Sequence, residues 1–224
     1  MGKLAIIGGT SNLSDAIINE LNNSFVTITI YSRSVLNEGS SVKFDAKDLS
    51  CNNIKTCFKE NHDVYIFNLG LLYSKRILEQ TQEEIFESLS VNALFIIKSC
   101  EYILSNNSSA RIFIIGSESG KKGSFDTTYF LSKSMLRSFV KERYLNYPMQ
   151  QLILISPSTI EDASMTINRS DLERLKGYKE LHPKKRFLNC SEIAMLISKL
   201  IDSTIYLTNC EVELNGGKFA RMKY

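Results

Sequence analysis

Residues 111–133 read RIFIIGSESGKKGSFDTTYFLSK. The run that begins this stretch is apolar, β-branched and aromatic after its first residue, and it predicts a buried strand that Gly116 ends. Asp126 or one of the two threonines after it can cap a helix with apolar residues at helical spacing. We expect that helix to end near Tyr147, because Pro148 cannot continue it. The stretch therefore predicts a strand, a turn and a helix at the centre of the fold.

Three side chains in this stretch can cooperate chemically. Tyr129 and Lys133 lie four residues apart and so share one face of the helix. The ammonium group would lower the pKa of the phenol from about 10 and make it a usable acid and base. Ser117, at the end of the strand, could hydrogen-bond a carbonyl oxygen or an oxyanion at the same point. The alternative is that Tyr129 and Lys133 form an ordinary surface pair.

The N-terminal segment predicts an anion site. Residues 3–7 are typical of a buried strand, residues 8–14 form a glycine-bearing turn, and an amphipathic helix follows. Free backbone N–H groups and the positive end of the helix dipole face such a turn, which suits the pyrophosphate of a dinucleotide. Alternatively, the turn only links strand to helix. The predicted binding residues of this turn are Gly8, Thr10, Ser11, Asn12 and Leu13.

Further short apolar runs alternate with helical patterns along the chain. They predict strands over residues 25–30, 42–44, 64–67, 152–155 and 210–214. A capping-box pattern at Thr81 predicts a helix that continues toward Leu104. Alternation of this kind indicates an α/β fold, a doubly wound parallel sheet with helices on both faces and right-handed crossovers.

Composition limits the class of protein. The 224 residues suffice for one sizeable core, so we expect a single domain over residues 1–224. A net charge of +3 gives no reason to expect nucleic-acid binding. The five cysteines lack metal-ligand spacing and only two histidines are present, so neither a metal site nor a disulfide framework is expected. No apolar run is long enough for a membrane span and no leader precedes the first strand, which predicts a cytoplasmic protein.

Ser117, Tyr129 and Lys133, in this order after a glycine turn, resemble the short-chain dehydrogenase/reductase family. The resemblance runs over nearly the whole chain and implies a Rossmann-like sheet of about seven strands in the order 3-2-1-4-5-6-7. It also implies that these three residues are the catalytic triad. Of the family's three loop glycines the chain keeps only Gly8. We expect Asn12 to tolerate the left-handed backbone of the second and Ser14 to permit the close helix approach of the third.

The resemblance also assigns roles elsewhere in the chain. Asn92 would hold a water of the proton relay, and Lys133 would bind the nicotinamide ribose as well as lower the pKa of Tyr129. The partial matches at 67–70 and 156–158 would line the cofactor site. The remaining residues of the implied cofactor site are Ser32, Arg33, Asp45, Ala46, Asn68, Gly70, Pro157 and Ser158.

The cofactor implied is NADP(H). Residues 31–34 contain no carboxylate to accept ribose hydroxyls, whereas Arg33 can bind a 2′-phosphate. The leading hypothesis is an NADP(H)-dependent oxidoreductase that interconverts a small-molecule carbonyl and an alcohol, with Tyr129 as proton donor. The alternatives are a non-catalytic nucleotide-binding sensor or scaffold and a nucleotide-sugar epimerase or dehydratase.

The resemblance leaves the substrate open. It implies a substrate-binding insertion at about 159–188, but sugar, steroid, acyl-thioester and small-ketone substrates all fit. It further implies a homodimer or homotetramer formed through the helices at 82–105 and 126–147.

Overall fold

A parallel sheet of seven strands forms the centre of the molecule. The computed structural model describes residues 2–34, 41–169, 172–202 and 206–219. The strand order is β3-β2-β1-β4-β5-β6-β7, which confirms the predicted doubly wound α/β topology. The strands are β1 (Lys3–Ile7), β2 (Thr27–Ser32), β3 (Ser41–Lys43), β4 (Val64–Phe67), β5 (Arg111–Ile115), β6 (Gln151–Pro157) and β7 (Cys210–Leu214).

Helices connect the strands within the described ranges. They are α1 (Asn12–Leu21), α2 (Cys51–Cys57), α3 (Gln82–Leu89), α4 (Phe95–Asn106), α5 (Ser119–Lys122), α6 (Thr127–Glu142), α7 (Ser164–Ile167), α8 (Leu172–Leu181) and α9 (Cys190–Asp202). A 3-10 turn (Ile77–Glu79) precedes α3, and a π turn (Ser90–Leu94) joins α3 to α4. In the described part of the chain, no helix has the length and apolar character needed to cross a bilayer.

Two hydrophobic layers cover the sheet, one on each face. Successive residues of β1 alternate between them, because neighbouring side chains of a strand point to opposite faces. Ala5 and Ile7 pack with α2, α4 and α6, whereas Leu4 and Ile6 pack with α1 and α9. Strands β1, β4, β5 and β6 are almost wholly buried, as their continuous apolar runs predict for a parallel sheet covered on both faces.

The second strand lies two residues later than the sequence predicts. β2 spans Thr27–Ser32 rather than residues 25–30, and Val26 is 74% exposed. The cause is Tyr31, whose ring is buried and stacks on Phe58 at a centroid distance of 5.6 Å. This aromatic contact extends the strand past the point where its polar residues suggested an end.

The central helix is shorter than predicted. α6 ends at Glu142, not near Tyr147, and Arg143 takes an extended conformation. Asn209, from the other end of the chain, donates its side-chain amide to the carbonyl oxygens of Val140 (3.0 Å) and Arg143 (2.6 Å). These bonds satisfy carbonyl groups that the end of a helix leaves free, so a tertiary contact ends the helix before Pro148 does.

Candidate active site

A large cavity lies at the carboxyl ends of the parallel strands. Its volume is about 870 Å³, and its walls come from the segments after β1, β4, β5 and β6 together with residues 159–187. Ligands of open parallel sheets bind at this edge, where strand order reverses around the first strand. The segment predicted to be a substrate insertion thus forms one wall, and it contains the helices α7 and α8.

The three residues of the predicted triad meet at this cavity. Ser117 follows the end of β5, whereas Tyr129 and Lys133 project from the first two turns of α6. Asp126 caps α6 by accepting a hydrogen bond from the backbone N–H of Tyr129 at 3.0 Å. The same buried carboxylate accepts from the backbone N–H of Tyr73 (2.7 Å), so it ties the start of the helix to the loop after β4.

The pKa of Tyr129 differs from the sequence expectation. Burial raises it, because an apolar surrounding disfavours the tyrosinate, and a hydrogen bond with Ser117 partly offsets this effect. Ser117 also accepts from the backbone N–H of Ser119 at 3.1 Å, which leaves its hydroxyl proton free to point toward Tyr129. The pKa of Tyr129 is thus raised rather than lowered in this structure, and a lowering of it by Lys133 stays a prediction.

Lys133 is directed at the backbone rather than at the phenol. Its Nζ donates to the carbonyl oxygens of Leu69 (3.0 Å) and Ile115 (3.1 Å) and lies 5.7 Å from the centre of the Tyr129 ring. The side chain is 2% exposed, and burial lowers its pKa to about 8. Lys133 therefore joins the loop after β4 to the end of β5 at the wall of the cavity.

The turn after β1 packs closely against the loop after β4. Gly8 has a φ of 93°, and a side chain there would come within 2.2 Å of the Asn68 carbonyl oxygen. Ser11 caps α1, and Asn68 donates to the hydroxyl oxygens of Ser11 (2.9 Å) and Ser14 (2.8 Å). Ser14, fully buried, donates in turn to the Gly8 carbonyl oxygen at 2.9 Å. The network fixes the helix N-terminus against the cavity, where Thr10, Ser11 and Leu13 line the wall and suit a pyrophosphate.

Asn12 does not adopt the left-handed backbone that its position in the turn suggested. It begins α1 with a right-handed backbone, and positive φ values among described non-glycine residues occur at Ser74, Lys185 and Asn209. Its side chain donates to the carbonyl oxygen of Asp162 at 2.6 Å. Asn12 thus fastens the first turn to the segment after β6 and does not line the cavity.

The four residues predicted to contact the adenosine do not all reach the cavity. Arg33 is exposed and lines the cavity, whereas Ser32 is buried and donates its hydroxyl to the Ser34 carbonyl oxygen. Asp45 is exposed and accepts from the backbone N–H of Lys47 at 2.9 Å, and Ala46 lies in the core. Because β2 extends to Ser32, two residues past the predicted end, Ser32 belongs to the strand and is buried. Of these four predicted contacts, Arg33 is the one at the cavity wall.

Asn92 lies in the π turn and is fully buried. Its side-chain oxygen accepts from the backbone N–H of Leu71 (2.7 Å), and its amide donates to the Leu71 carbonyl oxygen (2.8 Å) and the Ser88 hydroxyl (3.1 Å). The side chain therefore holds the loop after β4 to the helix beneath it. Its relay-water role stays a prediction.

The other predicted cofactor residues at the cavity are Asn68, Gly70, Pro157 and Ser158. Sequence reasoning missed several charged residues that share this cavity. Among them, Glu118 directly follows Ser117 and His182 lies in the segment at 159–188, but no local pattern connects them. Lys218 approaches from the turn after β7, and its contact with Glu118 depends on the fold.

The comparisons with known proteins rest on structure. No protein-family model matches the chain, and no curated protein matches it by sequence. A short chain dehydrogenase family protein from Francisella tularensis subsp. tularensis SCHU S4 matches over 99% of this chain and 100% of its own, with a TM-score of 0.83 at 22% identity. Thermoplasma acidophilum aldohexose dehydrogenase matches over 99% and 96%, with a TM-score of 0.82 at 17% identity.

A variant of actinorhodin polyketide ketoreductase, solved with NADPH, matches over 97% of both chains with a TM-score of 0.81 at 17% identity. The chain thus has the fold of the short-chain dehydrogenase/reductase proteins over nearly its whole length.

Proposed function

We propose that the protein is an NADP(H)-dependent oxidoreductase that interconverts a carbonyl and an alcohol. The observation that carries the proposal is the meeting of Ser117, Tyr129 and Lys133 at one cavity that also reaches the N-terminus of α1. The cavity walls suit the cofactor, because the N-terminus of α1 lies at the cavity and Arg33 supplies a cation at the adenosine end. The cofactor, when bound, supplies the hydride.

The protein residues supply position and a proton. Ser117 donates a hydrogen bond to the carbonyl oxygen, and Tyr129 donates its proton to that oxygen as the alcohol forms. The raised pKa of Tyr129 keeps the phenol protonated before reaction, which suits a proton donor. Lys133 would bind the ribose hydroxyls and, once turned from its carbonyl partners toward the phenol, would stabilise the tyrosinate.

Two further predictions belong to this proposal. We infer that the chain is one catalytic unit in which residues 159–188 bind the substrate, because this segment forms a wall of the cavity. We also infer a homodimer or homotetramer, supported by the exposure of Phe86 on α3 and Leu131 on α6. Neither inference affects the assignment of the triad.

The experiment is NADPH oxidation with a panel of carbonyl compounds by the wild type and Tyr129→Phe. Removing the proton donor should lower kcat by about 100-fold or more, because general acid catalysis contributes about that factor at least. NADPH should bind both proteins with Kd values within about twofold, because the phenol is not needed to hold the cofactor. Tyr144→Phe, at a side chain that is 86% exposed, is the matched control and should behave like the wild type.

The outcomes separate the alternatives. Equal turnover by Tyr129→Phe and the wild type would exclude the assigned proton donor. Saturable NADPH binding without turnover of any carbonyl would favour the sensor or scaffold. Absence of binding to both NADPH and NADH would refute the assignment of a dinucleotide cofactor.

A further inference from the structure

One wall of the cavity is held in place from two sides. Residues 159–167 form this wall, which we call the α7 wall, and most of them line the cavity. On one side the backbone N–H of Leu188 donates to the Thr159 carbonyl oxygen at 3.1 Å, and the backbone N–H of Cys190 donates to Oδ1 of Asp162 at 2.8 Å. These bonds fix the α7 wall to the start of α9 and to the segment before it.

Asn12 holds the other side of the wall. Its side-chain amide donates to the carbonyl oxygen of Asp162 at 2.6 Å, and its Oδ1 accepts from the hydroxyl of Ser164 in a longer contact of 3.5 Å. Within the described part of the chain, no other hydrogen bond joins α1 to the α7 wall. Asp162 is therefore held between the first turn of α1 and the first residue of α9.

The α7 wall continues from Asp162 to the loop after β4. A side chain at Gly70 would come within 2.6 Å of Cε of Met165, so α7 packs directly on that loop. Gly70 and Met165 both line the cavity. The wall thus extends from the first turn of α1 to the loop after β4, and a shift at Asp162 would move residues that line the cavity.

Asn12 stands where the resemblance places the second glycine of the loop. Its backbone is right-handed, so the chain does not need the conformational freedom of glycine at this position. A glycine here would have no side chain to reach Asp162. The departure from the family's loop therefore coincides with a contact between the predicted cofactor turn and the predicted substrate segment.

We propose that Asn12 is a positioning residue that holds the α7 wall where this wall binds the carbonyl substrate. Without the contact, substrate binding would have to order the segment, and the cost of that ordering would weaken binding. The side chain of Asn12 does not line the cavity, so it acts through Asp162 and not on the substrate itself. This inference rests on the proposed oxidoreductase function, because it concerns the substrate of that reaction.

The first test is steady-state kinetics of Asn12→Ala at saturating NADPH. The carbonyl probes are benzaldehyde, cyclohexanone and ethyl acetoacetate, which are an aromatic aldehyde, a cyclic ketone and a β-keto ester. KM for the carbonyl should rise by about 3- to 10-fold, the effect of losing a hydrogen bond that orders the wall. The value of kcat should stay within about twofold, because Asp126 and not Asn12 fixes the helix that carries Tyr129.

A matched control removes a bond of the same kind elsewhere. Asn106, an exposed residue on α4, donates its side-chain amide to the Tyr102 carbonyl oxygen at 2.7 Å and does not line the cavity. Asn106→Ala should therefore keep the KM of the wild type. NADPH should bind Asn12→Ala and Asn106→Ala with Kd values within about twofold of the wild-type value, because neither side chain lines the cavity.

The variant Asn12→Asp separates positioning from helix stability. It keeps the shape of the side chain but places an acceptor instead of a donor against the Asp162 carbonyl oxygen. An acidic residue suits the first turn of a helix, so this variant should not destabilise α1. At saturating NADPH its KM for the carbonyl should nevertheless rise at least as much as in Asn12→Ala. A KM equal to that of the wild type would show that the amide bond does not position the wall.

Hydrogen exchange measures the order of the wall without turnover. The backbone N–H groups of Ile167 and Asn168 donate within α7 to the carbonyl oxygens of Ala163 (3.0 Å) and Ser164 (3.1 Å). These amides should exchange about 3-fold or more faster in Asn12→Ala than in the wild type, whereas the amides of β5 should not change.

The outcomes distinguish the two proposals. Equal KM values for Asn12→Ala and the wild type would overturn the positioning role and leave the oxidoreductase intact. Faster exchange in α7 with an unchanged KM would also overturn it, because Asn12 would then have a structural role alone. Absence of turnover by the wild type with any carbonyl would refute the proposed function, and the positioning role with it.

Discussion

Lys133 is a buried cation whose ionisation links pH to stability. Burial lowers its pKa in the folded protein to about 8, whereas in the unfolded chain it is about 10.4. Near neutral pH the residue is charged in both states, and the cost of burying that charge lowers the free energy of unfolding. As pH rises above 8 the folded protein loses the proton first, so the unfolded state binds more protons and stability increases with pH.

The prediction compares the wild type with Lys133→Met. Between about pH 7 and pH 10, the free energy of unfolding of the wild type should rise by about 2 to 3 kcal/mol relative to the variant. Denaturant unfolding at several pH values measures this difference, and the subtraction removes the titration of other groups. Lys141→Met, at an exposed lysine, should follow the wild type. A pH-independent difference for Lys133→Met would show that its pKa is not depressed.

Single residues also show where sequence reasoning ends. The spacing of Ser117, Tyr129 and Lys133 sufficed to predict that they meet, because a strand end and one helix face fix their positions. The pKa of Tyr129 could not be predicted, since it depends on burial and on where Lys133 points. The side-chain contact of Asn12 could not be predicted either, since its partner, Asp162, is 150 residues away in the chain.

At the scale of elements, the N-terminus of α6 depends on Asp126. This carboxylate is 1% exposed and accepts hydrogen bonds from the backbone of Tyr129 and Tyr73 and from the side chain of Gln80 at 3.1 Å. Asp126→Ala should therefore lower the free energy of unfolding by about 2 to 4 kcal/mol, since it removes a cap and leaves buried donors unpaired. It should also lower kcat, because Asp126 positions the helix turn that carries Tyr129.

A second N-cap provides the control. Thr81 caps α3 in a capping box at the surface, and Thr81→Ala should cost about 1 kcal/mol without changing kcat. Denaturant unfolding and steady-state kinetics measure both variants. Equal losses of stability for Asp126→Ala and Thr81→Ala would mean that the buried contacts of Asp126 contribute nothing beyond capping.

Strands were predicted more accurately than helix ends. The inner strands follow from continuous β-branched runs, which a sheet covered on both faces requires. The end of α6 could not be predicted, because Asn209 caps it from a distant part of the chain. The π turn at Ser90–Leu94 and the helix α8 likewise lack a distinctive local pattern.

At the scale of the whole molecule, the positive charge is concentrated at the cavity. The chain carries a net charge of only +3, yet six basic residues and one acidic residue line the cavity. The basic residues are Arg33, Lys122, Lys133, Arg169, Arg174 and Lys218. Such an arrangement attracts a polyanion more strongly than the net charge suggests, and the attraction is screened by salt.

This distribution predicts a preference for NADPH over NADH. Arg33 is exposed at the end of β2, where it can pair with a 2′-phosphate, and no ion pair joins it to Asp45 in the described part of the chain. A charge-assisted contact of this kind is worth about 1.5 to 3 kcal/mol, so NADPH should bind about 10- to 100-fold more tightly. Because the extra negative charge of NADPH lies on its 2′-phosphate, the preference for NADPH should also decrease as ionic strength rises.

Measurement of Kd for both dinucleotides at low and high salt tests the prediction. Arg33→Ala should remove most of the preference by weakening NADPH binding. The Kd for NADH should stay within about twofold of the wild-type value, because NADH lacks the 2′-phosphate. Lys55→Ala removes a positive charge from an exposed position outside the cavity and is the matched control for general electrostatics. Equal affinity of the wild type for the two dinucleotides, or an unchanged preference in Arg33→Ala, would rule out Arg33 as the phosphate-binding residue.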